Sequence, residues 1–167
     1  MAATEVKDQN QSSTCWSFSV LSLMESELIL TDSVAYDFSE MFIVRQAFVE
    51  KAMRYVRMHG NMSFTGGGTL SDVMAMWSMY GILPEGAYRG MPNVGKRHDH
   101  KELDETLHTL VNTVIANVDQ FKSEWLVSFN QILDVHLGKL PPEFKAETKN
   151  TLLRLTPRGL PFHQIAL

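Results

Sequence analysis

Apolar residues recur every three or four positions along almost the whole chain, the spacing that lays them on one face of an α-helix. From about Cys15 to Leu30, Trp16, Val20, Leu23, Met24 and Leu28 fall near one stripe, and Thr31-Asp32-Ser33 ends it. Ser12, Ser13 and Thr14, just before it, offer side-chain oxygens to the unpaired amides of a first turn. A second helix is predicted from an N-cap at Ser39 to about His59, with Met41, Val44, Phe48, Ala52, Tyr55 and Val56 inward and Gly60 closing it. Phe64-Thr65-Gly66-Gly67-Gly68-Thr69 is a loop that no helix tolerates. A third helix follows from about Leu70 to Tyr80, with Val73, Met74, Met76 and Trp77 inward and Gly81 as its stop. Pro84 to Arg97 reads as irregular. Two more helices are predicted, at about Lys101–Val118 (Leu103, Leu107, Leu110 and Val114 inward) and about Ser123–Leu137 (Leu126, Phe129, Ile132 and Leu133 inward). Gly138 and Pro141-Pro142 terminate the last. Period-two alternation is weak and confined to the C-terminal end, so the fold class is mainly α, with one Gly-rich loop and no internal repeat.

The composition agrees with a folded globule. Of 167 residues, 44% are apolar and 20% charged, which excludes collagen-like, low-complexity and wholly disordered classes. Fifteen basic residues stand against 19 acidic ones, for a net charge of −4, and the basic ones are scattered rather than gathered on one face. Nucleic acid is therefore not an expected partner. No apolar run approaches the roughly 20 residues of a membrane span, so no membrane partner is expected either. Met1-Ala-Ala-Thr-Glu-Val-Lys has no apolar signal core, which favours a cytoplasmic location without fixing it. A single cysteine excludes an internal disulfide.

That cysteine sits in the most informative stretch, Gln9-Asn10-Gln11-Ser12-Ser13-Thr14-Cys15-Trp16-Ser17-Phe18-Ser19. A thiol at the first turn of a helix lies at the positive end of the helix dipole, beside free amide N–H groups, and both favour a thiolate nucleophile. Gln9, in the loop entering the helix, could turn its carboxamide over Cys15, so that its N–H and the Cys15 amide aim two donors at a developing oxyanion. Against this stands the commoner fate of a single cysteine, an inert buried thiol.

The pattern Gln9-x5-Cys15-Trp16-Ser17-Phe18-Ser19 resembles the nucleophile region of papain-like cysteine peptidases. Further pieces stand in that family's order: Leu23-Met24-Glu25-Ser26-Glu27 continuing the first helix, Phe38-Ser39-Glu40-Met41 opening the next, and Gly67-Gly68 ahead of a helix that ends Tyr80-Gly81-Ile82. The long insertion before Gly67-Gly68 and the run Tyr80-Gly81-Ile82-Leu83-Pro84-Glu85 are most similar to the bleomycin hydrolase and aminopeptidase C branch. The resemblance spans about Val6 to Phe144 and is strongest up to Glu85. It implies that residues 1–145 are the helical lobe of a papain-like α+β peptidase, with a helical insertion at about 98–140, and that 146–167 is a divergent or truncated tail. The β-barrel lobe would be missing from the chain.

By the same resemblance Cys15 would be the nucleophile, and Gln9 with the Cys15 amide the oxyanion hole. Gly67 and Gly68 would let an extended peptide substrate lie against the backbone, while Trp16 would pack the helix start. Ser12 stands where many relatives carry a disulfide cysteine. The mechanism also needs a histidine base and an orienting Asn, Gln or Asp. His163 falls within the family's usual spacing from the cysteine. The insertion at Lys101–Leu137 should push the base further on, however, and only four residues follow His163, so it is set aside. The expectation is an incomplete catalytic half of an aminopeptidase-like cysteine peptidase that needs no cofactor and is inactive alone. The alternative is a non-catalytic helical interaction module derived from that lobe. The expected partners are a peptide substrate and either a docking second lobe or a second copy of the chain.

Other signals are weaker. His98-Asp99-His100, with His108, could be metal ligands, but with no cysteine and no HExxH-type helix a solvated polar loop is the better reading, and no metal is expected. Among ten methionines, Met74 reads as core, while Met76 and Met79 could touch a partner. Lys51, Arg54 and Arg57, interleaved with Glu50, read as a solvated basic helix face.

Overall fold

The computed structural model describes residues 4–91, 97–117 and 124–141. Among these lie five helices: α1 (Cys15–Asp32), α2 (Glu40–Arg57), α3 (Leu70–Tyr80), α4 (Lys101–Ala116) and α5 (Trp125–Leu137). The described residues form no strand, only two isolated backbone bridges, Gln11 with Asp99 and Phe38 with Pro84. No helix among them is long and apolar enough to cross a membrane. The mainly helical class expected from the sequence is therefore observed. Val118 and Ser123, the expected end of α4 and start of α5, lie outside the described residues, as do the tail 146–167 and His163.

Helix boundaries follow local chemistry. Ser39 caps α2 as expected, its hydroxyl oxygen accepting from the Phe42 N–H at 3.0 Å while donating to the Tyr88 carbonyl. At the start of α3 the Asp72 carboxylate accepts from both the amide and the hydroxyl of Thr69, at 2.8 and 2.9 Å. Gly81 (φ 77°) stops α3, and its N–H closes on the Trp77 carbonyl at 2.9 Å.

Helix α2 packs against all four others; α1 meets α3, and α4 meets α5. One apolar core runs through them, with Leu21, Leu28, Ile43, Phe48, Trp77, Leu107, Phe129 and Leu133 almost wholly buried. The segment expected as an insertion thus shares its core with α2.

Some side-chain assignments need correction. Leu23 is 59% exposed, because the buried face of α1 runs through Ser17, Leu21, Glu25 and Leu28. Apolar residues stand on both sides of this helix, so periodicity alone could not rank the two. Met76 is core rather than a partner contact, at 2% exposure, whereas Met79 is exposed. In α4 and α5 it is Val111, Trp125 and Leu137 that are fully buried, with Leu110, Leu126 and Ile132 only partly so.

Candidate active site

The loop Gln9–Thr14 enters α1 through two left-handed residues, Asn10 (φ 50°) and Ser13 (φ 57°). Asn is among the few residues that adopt this conformation readily; the Asn10 backbone N–H donates to Asp8 Oδ1 at 2.7 Å, and its side-chain Oδ1 accepts from the backbone N–H of the distant His98 at 3.1 Å. The strap 98–100 then pins the loop from below, with Gln11 N–H donating to the His98 carbonyl at 2.9 Å and His100 N–H to the Gln11 carbonyl at 3.1 Å.

The hydroxyls ahead of α1 do not cap it, contrary to expectation. Thr14 has φ −112° and ψ 23° rather than the extended N-cap geometry, and its side chain makes no cap bond. Ser12, fully buried, donates to the Gln9 carbonyl at 2.7 Å and so is left to accept from the Thr14 hydroxyl at 2.5 Å. The loop is thus fixed by hydroxyls rather than capped by them. The first-turn amide of Cys15 keeps no acceptor among the described residues.

Cys15, the first residue of α1, is an exposed free thiol. It shares a cleft of about 300 Å³ with Gln9, Lys7, Phe18, Glu25 and Glu40. Gln9 is half-buried, and its Oε1 is buried without a hydrogen-bond partner. No histidine among the described residues lines this cleft.

Sequence reasoning missed the acidic floor of the cleft. Lys7 lies 2.6 Å from Asp37, 2.9 Å from Glu40 and 3.8 Å from Glu25. Burial works against the Lys7 charge, but the bonds from Asp37 and Glu40 outweigh it and raise its pKa. Burial also raises the Glu40 carboxyl, with Lys7 offsetting only part. Glu85 is pushed up to about 7 by burial, reinforced by the nearby Glu40 charge. Glu25 accepts from the Phe38 N–H at 2.7 Å and the Thr4 hydroxyl at 2.7 Å, which keeps this buried carboxyl hydrogen-bonded. The available signal was its position in α1, four residues after Leu21 and three before Leu28 on the buried stripe.

The Gly-rich loop lies against the start of α1. Trp16 is buried, and its indole N–H donates to the Gly66 carbonyl at 2.9 Å. A β-carbon at Gly68 would sit 2.6 Å from Trp16 Cδ2 and Cε2, whereas one at Gly67 would meet nothing nearer than Thr65 Oγ1 at 3.6 Å. Glycine at 68 is thus already demanded by the indole, and the exposed Gly67 is not constrained by packing. Gly68→Ala is expected to cost about 1–3 kcal/mol of stability through overpacking and Gly67→Ala no more than about 0.5 kcal/mol, measured by urea denaturation. Equal effects would contradict the geometry.

Two other readings change. His98 and His100 are buried, at 9% and 3% exposure, so their segment is not a solvated loop. The described residues contain no group of three or more His, Cys, Asp or Glu placed to hold a metal ion. Lys51 is half-buried against the Gly-rich loop instead of solvated, while Arg54 and Arg57 are exposed.

A family model described as papain family cysteine protease matches residues 1–128, most of the chain and the whole of the cleft. No curated protein matches it.

Proposed function

Because this chain belongs to the papain family of cysteine proteases, we propose that it is the nucleophile-bearing helical lobe of an aminopeptidase-like enzyme. The Cys15 sulfur attacks the scissile carbonyl carbon, and the resulting oxyanion is met by the Cys15 amide and the Gln9 carboxamide. Collapse breaks the C–N bond, the amine leaves with a proton from the base, and water then hydrolyses the thioester. Gly67 and Gly68 take the substrate backbone, since neither carries a side chain to obstruct it. One observation carries this reading: Cys15, with its amide unpaired, opens onto the same cleft as Gln9.

The base belongs to a second lobe. In support, no histidine among the described residues lines the cleft, and α1 leaves two large apolar side chains, Leu23 and Leu30, exposed. The bleomycin hydrolase branch is favoured by the run Tyr80–Glu85, whose backbone pairs with the start of α2 through Ser39 N–H to the Leu83 carbonyl and Glu85 N–H to the Asp37 carbonyl, both at 2.8 Å.

A peptidyl epoxide tests the proposal. With this chain alone it should alkylate Cys15 slowly, and aminoacyl amides should be hydrolysed at a negligible rate. Extension by a lobe carrying histidine and asparagine should raise turnover by roughly 10⁴-fold or more, the scale on which a triad member acts, and Cys15→Ala should abolish it. Rapid stoichiometric labelling of the chain alone would overturn the assignment of the base to a second lobe. A silent extended protein would overturn the peptidase reading.

A further inference from the structure

Lys51 lies near the middle of α2, one turn beyond Phe48, in a run of charges that the catalytic reading leaves unused. Its aliphatic stem is partly buried, and its ammonium is spent on three neighbours. It stands 5.2 Å from the centroid of the Trp16 ring, within cation–π range. It donates to the Thr65 carbonyl at 3.4 Å and also to the Gly67 carbonyl. The Trp16 indole holds the intervening Gly66 carbonyl. Three successive carbonyls of the loop, 65 to 67, are therefore turned toward Lys51 and Trp16. The amides of Gly67 and Gly68 have no acceptor among the described residues.

We propose that Lys51 is a positioning residue for peptide binding: by holding the Thr65 and Gly67 carbonyls against the Trp16 face, it presents the Gly67 and Gly68 N–H groups as donors to the carbonyls of an extended peptide. The proposal rests on the reading of Gly67 and Gly68 as the substrate strand. Trp16 immediately follows Cys15, so the same clamp fixes the distance between the glycine strand and the nucleophile. The role needs a cation with several donors. A neutral side chain of the same length would keep the packing but release the carbonyls, whereas a guanidinium could both stack on the indole and fork to two oxygens.

The test is a titration of the ¹⁵N-labelled full chain with N-acetyl tetra-alanine amide, followed through the Gly67, Gly68 and Trp16 indole N–H signals. This probe is neutral, so a change on removing Lys51 does not report attraction between charges. In the unsubstituted chain the Gly67 and Gly68 signals should shift saturably. Lys51→Met and Lys51→Gln should weaken binding by roughly tenfold, the scale of a lost charge-assisted hydrogen bond, and should move the indole signal before any peptide is added. Lys51→Arg should bind within about threefold of the unsubstituted chain. Peptide binding undiminished in both neutral variants would overturn the positioning role and leave the substrate reading standing. Silence of both glycine amides in the unsubstituted chain would remove the substrate reading, and the proposal with it.

Discussion

Replacing Arg45 by alanine should cost the fold about 3–5 kcal/mol, the range seen when one partner of a buried ion pair is removed. Arg45, in the second turn of α2, is 3% exposed, and its guanidinium serves three acceptors near the end of α5: Asp134 Oδ1 at 2.6 Å, the Gly138 carbonyl at 3.2 Å and the Asn130 carbonyl at 3.5 Å. Truncation leaves the Asp134 carboxylate without its cation and takes one donor from each of the two carbonyls. Asp134 retains 30% exposure, so water recovers part of the loss and the lower end of the range is expected. Tyr88, whose hydroxyl also donates to the Gly138 carbonyl at 3.4 Å, does not reach the carboxylate in hydrogen-bond geometry. Urea denaturation checks the value. Asp134→Asn should cost less than Arg45→Ala, and a double-mutant cycle should show strong coupling between the pair. A loss below about 0.5 kcal/mol for Arg45→Ala would place the pair among ordinary surface ion pairs.

Much of this arrangement could be read from the sequence because its signals are local. Ser39 ahead of Glu40-Met41, Gly81 after Tyr80 and Gly138 after Leu137 mark helix ends by their own backbone chemistry, and the helices begin or end there. The meeting of Gln9 and Cys15 in one cleft was also legible, since only a short loop and a first turn separate them.

What stayed hidden depends on distant partners. The demand for glycine at 68 comes from an indole 52 positions earlier in sequence, and the role of Lys51 from a loop folded back beneath it. A charged triplet spaced along a helix looks the same whether one member faces water or a carbonyl. Glu25 was hidden for a related reason. A carboxylate on a buried stripe looks like an error in the hydrophobic pattern until Lys7, Thr4 and the Phe38 amide are seen around it. The hydroxyls before α1 misled in the opposite direction. They carry an N-cap signature, but beside the left-handed Ser13 the Ser12 hydroxyl bonds the Gln9 carbonyl and the Thr14 hydroxyl bonds Ser12.

Acid should weaken this lobe from the strap beneath the nucleophile loop, and His100→Leu should remove much of that sensitivity. His100 is almost wholly buried, its ring 6.4 Å from Phe48 and 6.1 Å from His98 between centroids, with neither ring nitrogen hydrogen-bonded. Burial first, then the charge of His98 and that of His136, push its pKa down to about 4, against an opposing pull from Asp99. The folded chain therefore binds fewer protons at this site than the unfolded chain, whose imidazole titrates near 6.5. The stability contributed by the neutral ring is complete above about pH 6.5 and is lost as pH falls toward 4, for a total of about 3 kcal/mol. Glu85 acts in the opposite sense. Its folded pKa of about 7 is raised, so its contribution is present below the unfolded carboxyl value and is lost as pH rises through 7. The two windows overlap, so the pH profile of the unsubstituted chain alone would mislead, and the difference between it and His100→Leu isolates the imidazole. An apolar replacement leaves no buried polar atom unpaired, so it should be near neutral at pH 7.5 and more stable than the unsubstituted chain by about 2 kcal/mol at pH 5. Parallel stability curves for the two proteins between pH 4 and 7 would refute the account. His100 bonds through its backbone to Gln11, two residues from Gln9, so amide exchange in the acidified chain should rise first at Gln11 and in the strap 98–100.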